Sequence, residues 1–128
     1  MTDWTWVDEA ILRALHAEQL EIYGGAPGMR DPSLLQSALG RPQNRAGYGE
    51  ADASTLAASY AFGIARNHPF VDGNKRAALI AAELFLIANG YAFTASDEAI
   101  IATFLSLAAG ELSEEALAAW FKTHIASA

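Results

Sequence analysis

Nine consecutive residues, His68-Pro69-Phe70-Val71-Asp72-Gly73-Asn74-Lys75-Arg76, concentrate the side chains of this chain best suited to handling a phosphate. A histidine ordinarily titrates at about 6.5, so His68 suits the removal of a proton from a hydroxyl. Asp72 offers a hard oxygen, and one carboxylate plus phosphate oxygens is the usual way proteins hold Mg2+. Gly73 lets a ligand approach the backbone and lets successive N–H groups converge on an anion. Lys75 and Arg76 add two cations about 100° apart around a helix axis, able to grip one phosphate chain from two sides. Phe70, between them, is expected to face the core and anchor the loop.

This chemistry needs a helix directly behind it. The run from Asn74 to Asn89 is apolar on nearly every side and closes on Gly90 at C′. Its pattern predicts a helix in the middle of a bundle. The first N–H groups of a helix have no internal partners, and its dipole places roughly half a positive charge there. Asn74 therefore opens a phosphate site. Cations in that first turn oppose the dipole at a cost of roughly 0.3–1 kcal/mol each, a penalty an anionic ligand reverses. Taken singly, these residues read as a packed histidine, a turn and solvated charges. A base, a metal ligand, a nest and two cations within nine residues point instead to a nucleotide site.

Helical signals recur through the rest of the chain, and nothing reads as a strand ladder. Thr5 is expected to cap a first helix running to about Leu20, with Asp8 as its capping-box partner. Tyr23 to Arg30 reads as a loop. Asp31 caps a short helix with Pro32 at its first position and Gly40 at its end. Arg41 to Glu50 reads as a second loop, and Ala51 to Arg66 as a helix. Ser96 and Ser113 cap two more. His16 and His124 read as structural or surface residues, and Trp4, Trp6 and Trp120 as packing residues. Glu83 interrupts an apolar helix and needs a polar partner if buried; Arg66 is the nearest candidate.

Length and composition bound the possibilities. The 128 residues make one domain, read as spanning 1–128, with 52% hydrophobic residues and no cysteine for disulfides or thiolate metal sites. A formal net charge of −7 argues against a general nucleic-acid binder, so no direct nucleic-acid binding is expected. The basic residues nevertheless cluster, with Arg66, Lys75 and Arg76 in one window and Arg30, Arg41 and Arg45 in another. Arg30, Arg41 and Arg45 are candidates to dock a protein target or steer a triphosphate. The start lacks a signal-peptide pattern, and no apolar run is long enough to span a bilayer. The expectation is a cytoplasmic protein without a membrane partner.

The nine-residue block resembles the signature of the Fic/Doc superfamily, His-Pro-Phe-x-x-Gly-Asn followed by Gly-Arg or Lys-Arg. The wider chain is similar to the Doc (death-on-curing) branch. Tyr23 to Met29 matches its Tyr-Gly-Gly-x-Pro-Gly-Met loop, and Gly40 to Arg45 its Gly-Arg-x-Gln-x-Arg stretch. The resemblance implies an all-α single-domain bundle of about six helices around a buried central motif helix. It implies that His68 is the base, that Asp72 holds Mg2+, and that Asn74, Lys75 and Arg76 bind the phosphates of ATP. Gly73 belongs to the same phosphate site, and Arg66 matches a Doc arginine placed there too.

In Fic proteins the motif histidine deprotonates a target hydroxyl, which attacks the α-phosphate of ATP and is adenylylated. Doc-like proteins hold the nucleotide the other way round and transfer its γ-phosphate. The resemblance thus implies a toxin that phosphorylates a threonine of elongation factor Tu and halts translation. Lys75 stands where the Fic pattern has glycine, as in Doc, whereas Pro69 and Gly73 are Fic-like and Ile80 replaces a Doc asparagine. Both transfers therefore stay open, as does a binding module without catalysis. The inhibitory Ser/Thr-x-x-x-Glu-Gly/Asn motif has no match, because Ala99 follows the correctly spaced Thr94 to Glu98. Inhibition is expected from a separate, Phd-like antitoxin laying an amphipathic segment in a groove.

Overall fold

Carboxylates and hydroxyls punctuate the chain and set where its helices begin. The computed structural model describes residues 3–49 and 51–128. Asp8 accepts from the N–H groups of Ala10 and Ile11 and opens α1 (Glu9–Tyr23). Asp31 caps α2 (Pro32–Tyr48) and Asp52 caps α3 (Ala53–Asn67). Gly73, with no side-chain cap, precedes α4 (Asn74–Ala88). Strand β1 (Tyr91–Phe93) follows, then α5 (Asp97–Ala108) capped by Ser96, α6 (Glu114–His124) capped by Ser113, and β2 (Ile125–Ser127). Each capping side chain contributes about 1 kcal/mol.

The described residues form the expected all-α bundle, with six helices. Helix α3 lies at its centre, packed on α2, α4 and α6. It buries 11 of its 15 residues, where α4 buries Ala77, Ala78, Ala81, Ala82, Phe85 and Leu86 and leaves Ile87 exposed. The motif helix α4 is thus in the core, but α3 is the more enclosed of the two. Small residues make this possible. A Cβ on Gly63 of α3 would sit 3.4 Å from the Cα of Ala38 in α2.

Four expectations about elements need correction. Thr5 does not cap α1. Its N–H donates to Asn89 Oδ1 at 2.9 Å and its carbonyl accepts from Asn89 Nδ2, so the segment before α1 lies along the end of α4. There Trp4 and Trp6 pack on Phe85, and Tyr60 accepts from the Val7 N–H at 3.0 Å. The second helix does not stop at Gly40, and the loop placed from Arg41 onward is helical to Tyr48. Leu35, Ala38, Leu39 and Pro42 form one buried face at helical spacing, and that burial overrides the Gly and Pro stop signals.

The third helix begins at Ala53, after its Asp52 cap, and not at Ala51. Finally, β1 and β2 form an antiparallel ladder, pairing Tyr91 with Ser127, Ala92 with Ala126 and Phe93 with Ile125. Strands of three residues are too short to show alternation in a sequence. No helix of the described residues is long and apolar enough to cross a membrane.

Candidate active site

The loop from His68 to Gly73 joins the C-terminus of α3 to the N-terminus of α4, so opposite helix ends meet there. His68 closes α3 in the left-handed region at φ 50°, the only non-glycine residue among the described ones with positive φ. For a residue with a Cβ that conformation costs roughly 1–2 kcal/mol. Its N–H donates to Ile64 O at 3.1 Å, and its carbonyl accepts from Arg30 Nε at 2.8 Å. Arg30 also donates from Nη2 to the Asn67 carbonyl at 2.7 Å. Arg30 is therefore a brace on the end of α3, held over its last carbonyls, and is not free to steer a triphosphate.

The loop between α1 and α2 is laced to this one. Met29 and Phe70 form an isolated antiparallel bridge, Arg30 and Asp31 donate to Pro69 O, and the Val71 N–H donates to Gly28 O. Asn74 tightens the turn from within. Its Oδ1 accepts from the Phe70 N–H at 2.9 Å and its Nδ2 donates to Phe70 O at 3.0 Å. Each end of the amide makes one of these bonds, which leaves the backbone N–H and the second Nδ2–H of Asn74 as its donors for a phosphate. Phe70 is 3% exposed and anchors the loop in the core, as expected.

His16 is the residue sequence reasoning undervalued. It is buried, its ring stacks on Phe70 with centroids 3.8 Å apart, and its Nε2 lies 2.8 Å from the Asp72 carbonyl oxygen. Burial lowers its pKa below the ordinary histidine value, and the neutral ring donates to that carbonyl. Gly73 fits closely over it: a Cβ there would fall 2.9 Å from His16 Nε2. That approach, together with φ +75°, requires glycine. The only signal in the sequence was a histidine facing inward from an amphipathic helix.

The Asp72 carboxylate is exposed, with Oδ2 accepting from the Ala26 N–H and Oδ1 from the Gly73 N–H. Those two donors, then the Arg76 guanidinium and His16, hold its carboxyl below the usual carboxylate range. Each oxygen keeps lone-pair capacity, so Asp72 fits the role of a Mg2+ ligand. No group of three or more His, Cys, Asp or Glu gathers among the described residues. A divalent cation would here be held by one carboxylate and phosphate oxygens, the arrangement Mg2+ favours.

Behind Asp72, no side chain caps the first turn of α4, and Ala77 N–H is bonded to Gly73 O. The N–H groups of Asn74, Lys75 and Arg76 precede that bond at the positive end of the dipole. Lys75 is exposed and pairs with no described side chain. Arg76 instead reaches back to the C-terminus of α1, donating at 3.3 Å to Gln19 O and to Gly24 O. It sets the site's potential from beside Asp72.

Arg66 and His68 stand apart from these phosphate candidates. Both line a cavity of about 340 Å3 whose other walls include Phe62, Leu107 and Leu112, and neither Asp72, Gly73, Lys75 nor Arg76 lines it. Arg66 lies over the Phe62 ring, 5.8 Å from its centroid, and does not pair with Glu83. Burial raises the Glu83 carboxyl, and Asp97 adds to the effect. Arg41 and Arg45 are likewise accounted for, since both grip Glu114 at the start of α6, Arg45 at 3.0 Å. His124 stacks on Trp120 with centroids 4.5 Å apart, a packing residue as expected.

Comparison with known proteins follows the same ground. A family model described as "Fic/DOC family" matches residues 6–86, from the segment before α1 into α4. The chain is 42% identical over 108 residues to "Protein kinase doc" of Escherichia phage P1, covering 84% of this chain and 85% of that protein. It is 45% identical over 71 residues to "Toxin Doc" of Mycolicibacterium smegmatis, covering 53% of this chain and 54% of that protein.

Proposed function

The chain belongs to the Fic/DOC family, in its Doc branch, and from that premise we propose that it is the toxin of a toxin–antitoxin pair, acting as a protein phosphotransferase. The observation that carries this reading is the uncapped start of α4, with Gly73 and Lys75, joined by one short loop to an exposed histidine. The N–H groups opening α4 and the Lys75 ammonium bind the phosphates of ATP, and Arg76 deepens the positive potential there. Asp72 holds Mg2+, which neutralises charge on the phosphates when bound.

His68 accepts the proton of a target hydroxyl as that oxygen bonds to the γ-phosphorus. The bond from phosphorus to the bridging oxygen breaks, and ADP leaves. The αL backbone of His68, whose carbonyl is held by Arg30, sets the direction in which its side chain leaves the main chain. The proposed target is a threonine of elongation factor Tu, whose modification halts translation, and the proposed inhibitor is a Phd-like antitoxin.

Adenylylation is the second reading. Gly73 and Pro69 match the Fic pattern, and the close fit of Gly73 over His16 shows that the turn is built around that glycine. Purified protein incubated with a bacterial lysate and ATP labelled at one position decides between them. Label passing to protein from the γ position supports the kinase, and label passing from the α position supports adenylylation. If neither passes, catalysis is excluded and a binding module remains.

A further inference from the structure

Two features meet at His68 that phosphate binding leaves unused. One is the cavity of about 340 Å3 between the last turn of α3 and the turn after α5. It is at the small end of the roughly 300–1,000 Å3 of ligand pockets, room for one large side chain and a stretch of backbone. The other is Arg66. Every other arginine is tied to a carboxylate or to main-chain carbonyls, whereas among the described residues the Arg66 guanidinium has only the face of Phe62 beneath it.

The cavity is ill-suited to phosphate. It lies at the C-terminal ends of α3 and α5, where helix dipoles are negative, and none of the phosphate candidates of α4 reaches it. Phe62, Leu107 and Leu112 give it an apolar side, and Arg66 and His68 a polar one. We infer that this cavity is the acceptor subsite: it receives a large apolar side chain next to the hydroxyl residue of an extended polypeptide segment, and Arg66 donates to that segment's main-chain carbonyls. The inference rests on the transferase reading above, which requires a hydroxyl at His68 and so a segment running past it.

The chemistry is complementary. A peptide carbonyl entering an apolar cleft loses its water and needs a donor. A guanidinium over an aromatic ring keeps its N–H donors for other partners and sheds water more readily than an ammonium. Arg66 thereby leaves the phosphate group of residues and joins His68 on the acceptor side. On this arrangement α4 holds the nucleotide and the α3–α5 cleft holds the protein, with the imidazole at the boundary.

The test begins with the lysate protein that the chain labels, its labelled hydroxyl mapped by mass spectrometry. A large apolar residue should adjoin that hydroxyl, and its replacement by Asp in the purified acceptor should lower kcat/KM at least about tenfold, the scale of discrimination by an apolar pocket. In the enzyme, Arg66→Lys should raise the KM for the acceptor severalfold while leaving the KM for ATP and the melting temperature in place, and Leu112→Ala should raise the acceptor KM with the ATP KM unchanged, at some cost in melting temperature because Leu112 packs on the core. A polar residue on both sides of the hydroxyl, an indifferent Asp substitution, or an Arg66→Lys effect on the ATP KM alone would each overturn the inference while the transferase reading stands. Failure to label any protein from either phosphate position removes both.

Discussion

The imidazole of His16, on the first helix, lies 2.8 Å from the carbonyl oxygen of Asp72, at the threshold of the helix that opens the phosphate site. The two residues are 56 positions apart in sequence and are bridged by one hydrogen bond, with Phe70 stacked on the same ring. This contact turns the Asp72 carbonyl inward and so aims the following N–H groups outward. Replacing His16 by alanine should cost roughly 2–3 kcal/mol through lost packing and an unpaired carbonyl. It should also weaken Mg2+-ATP binding. His16→Gln, which keeps a donor, should recover much of both. Calorimetric melting and nucleotide titration check this, and equal nucleotide affinity in all three proteins would show that the contact does not shape the site.

Acid should loosen the fold through the same residue. The pKa of His16 is lowered in the folded state, so the unfolded chain binds its proton more readily. The stability this group contributes is complete above about 6.5, the ordinary histidine value, and is lost as pH falls through the lower folded value. Asp72, also lowered, acts in the same direction in a separate window, below about 4. Melting temperatures measured from pH 8 to 5 should therefore fall in the parent and stay flatter in His16→Gln. A parent curve no steeper than the variant's would contradict the assignment.

Asn74 tests whether the motif asparagine serves chemistry or architecture at this position. Its amide satisfies both the N–H and the carbonyl of Phe70. Asn74→Ala should destabilise the protein by about 2 kcal/mol, since each unpaired buried group costs roughly 1–3 kcal/mol. The expected readout is a lower midpoint in urea with an unchanged slope. Loss of nucleotide affinity without loss of stability would instead place the amide on a phosphate.

Lys75 is the residue that separates the two transfer chemistries. It replaces the glycine of the Fic pattern and stands exposed in the first turn of α4. Lys75→Gly should weaken γ-transfer by at least about tenfold, the loss of one charge-assisted contact, and open α-transfer. Labelling with each form of ATP, side by side, reads both rates, and a variant with the parent's rate and product would refute the role.

His68 carries strain that stability alone would remove. His68→Gly relieves the left-handed backbone while deleting the proposed base. Transfer should disappear, and the melting temperature should be no lower than the parent's. A clear fall in melting temperature would mean that the imidazole is a packing residue.

Much of this was legible in the residues themselves. Asp31, Ser96 and Ser113 announce their helices because capping is a local event. The motif block announced a helix start because its glycine and its apolar sequel are adjacent in the chain. What stayed hidden depends on contacts between distant segments. Gly40 and Pro42 carry stop signals, yet the face that Pro42 shares with Leu35 and Leu39 is buried and the helix runs on. Arg30 and Arg76 look like free cations until the helix ends they brace are brought to them. The partner of His16 is likewise a backbone oxygen, which no side-chain pattern can advertise.

The clamp at the far end of α4 has a practical corollary for handling the protein. Asn89 holds Thr5, and Gly90 O accepts from the Ala128 N–H, so both extremities of the described fold meet where α4 finishes. Fifteen residues of helix, about 22 Å, separate that place from Gly73. Dyes, affinity handles or surface tethers attached at either extremity will therefore leave nucleotide and target free to come and go, and two dyes placed there will report whether the N- and C-terminal segments part before the bundle opens.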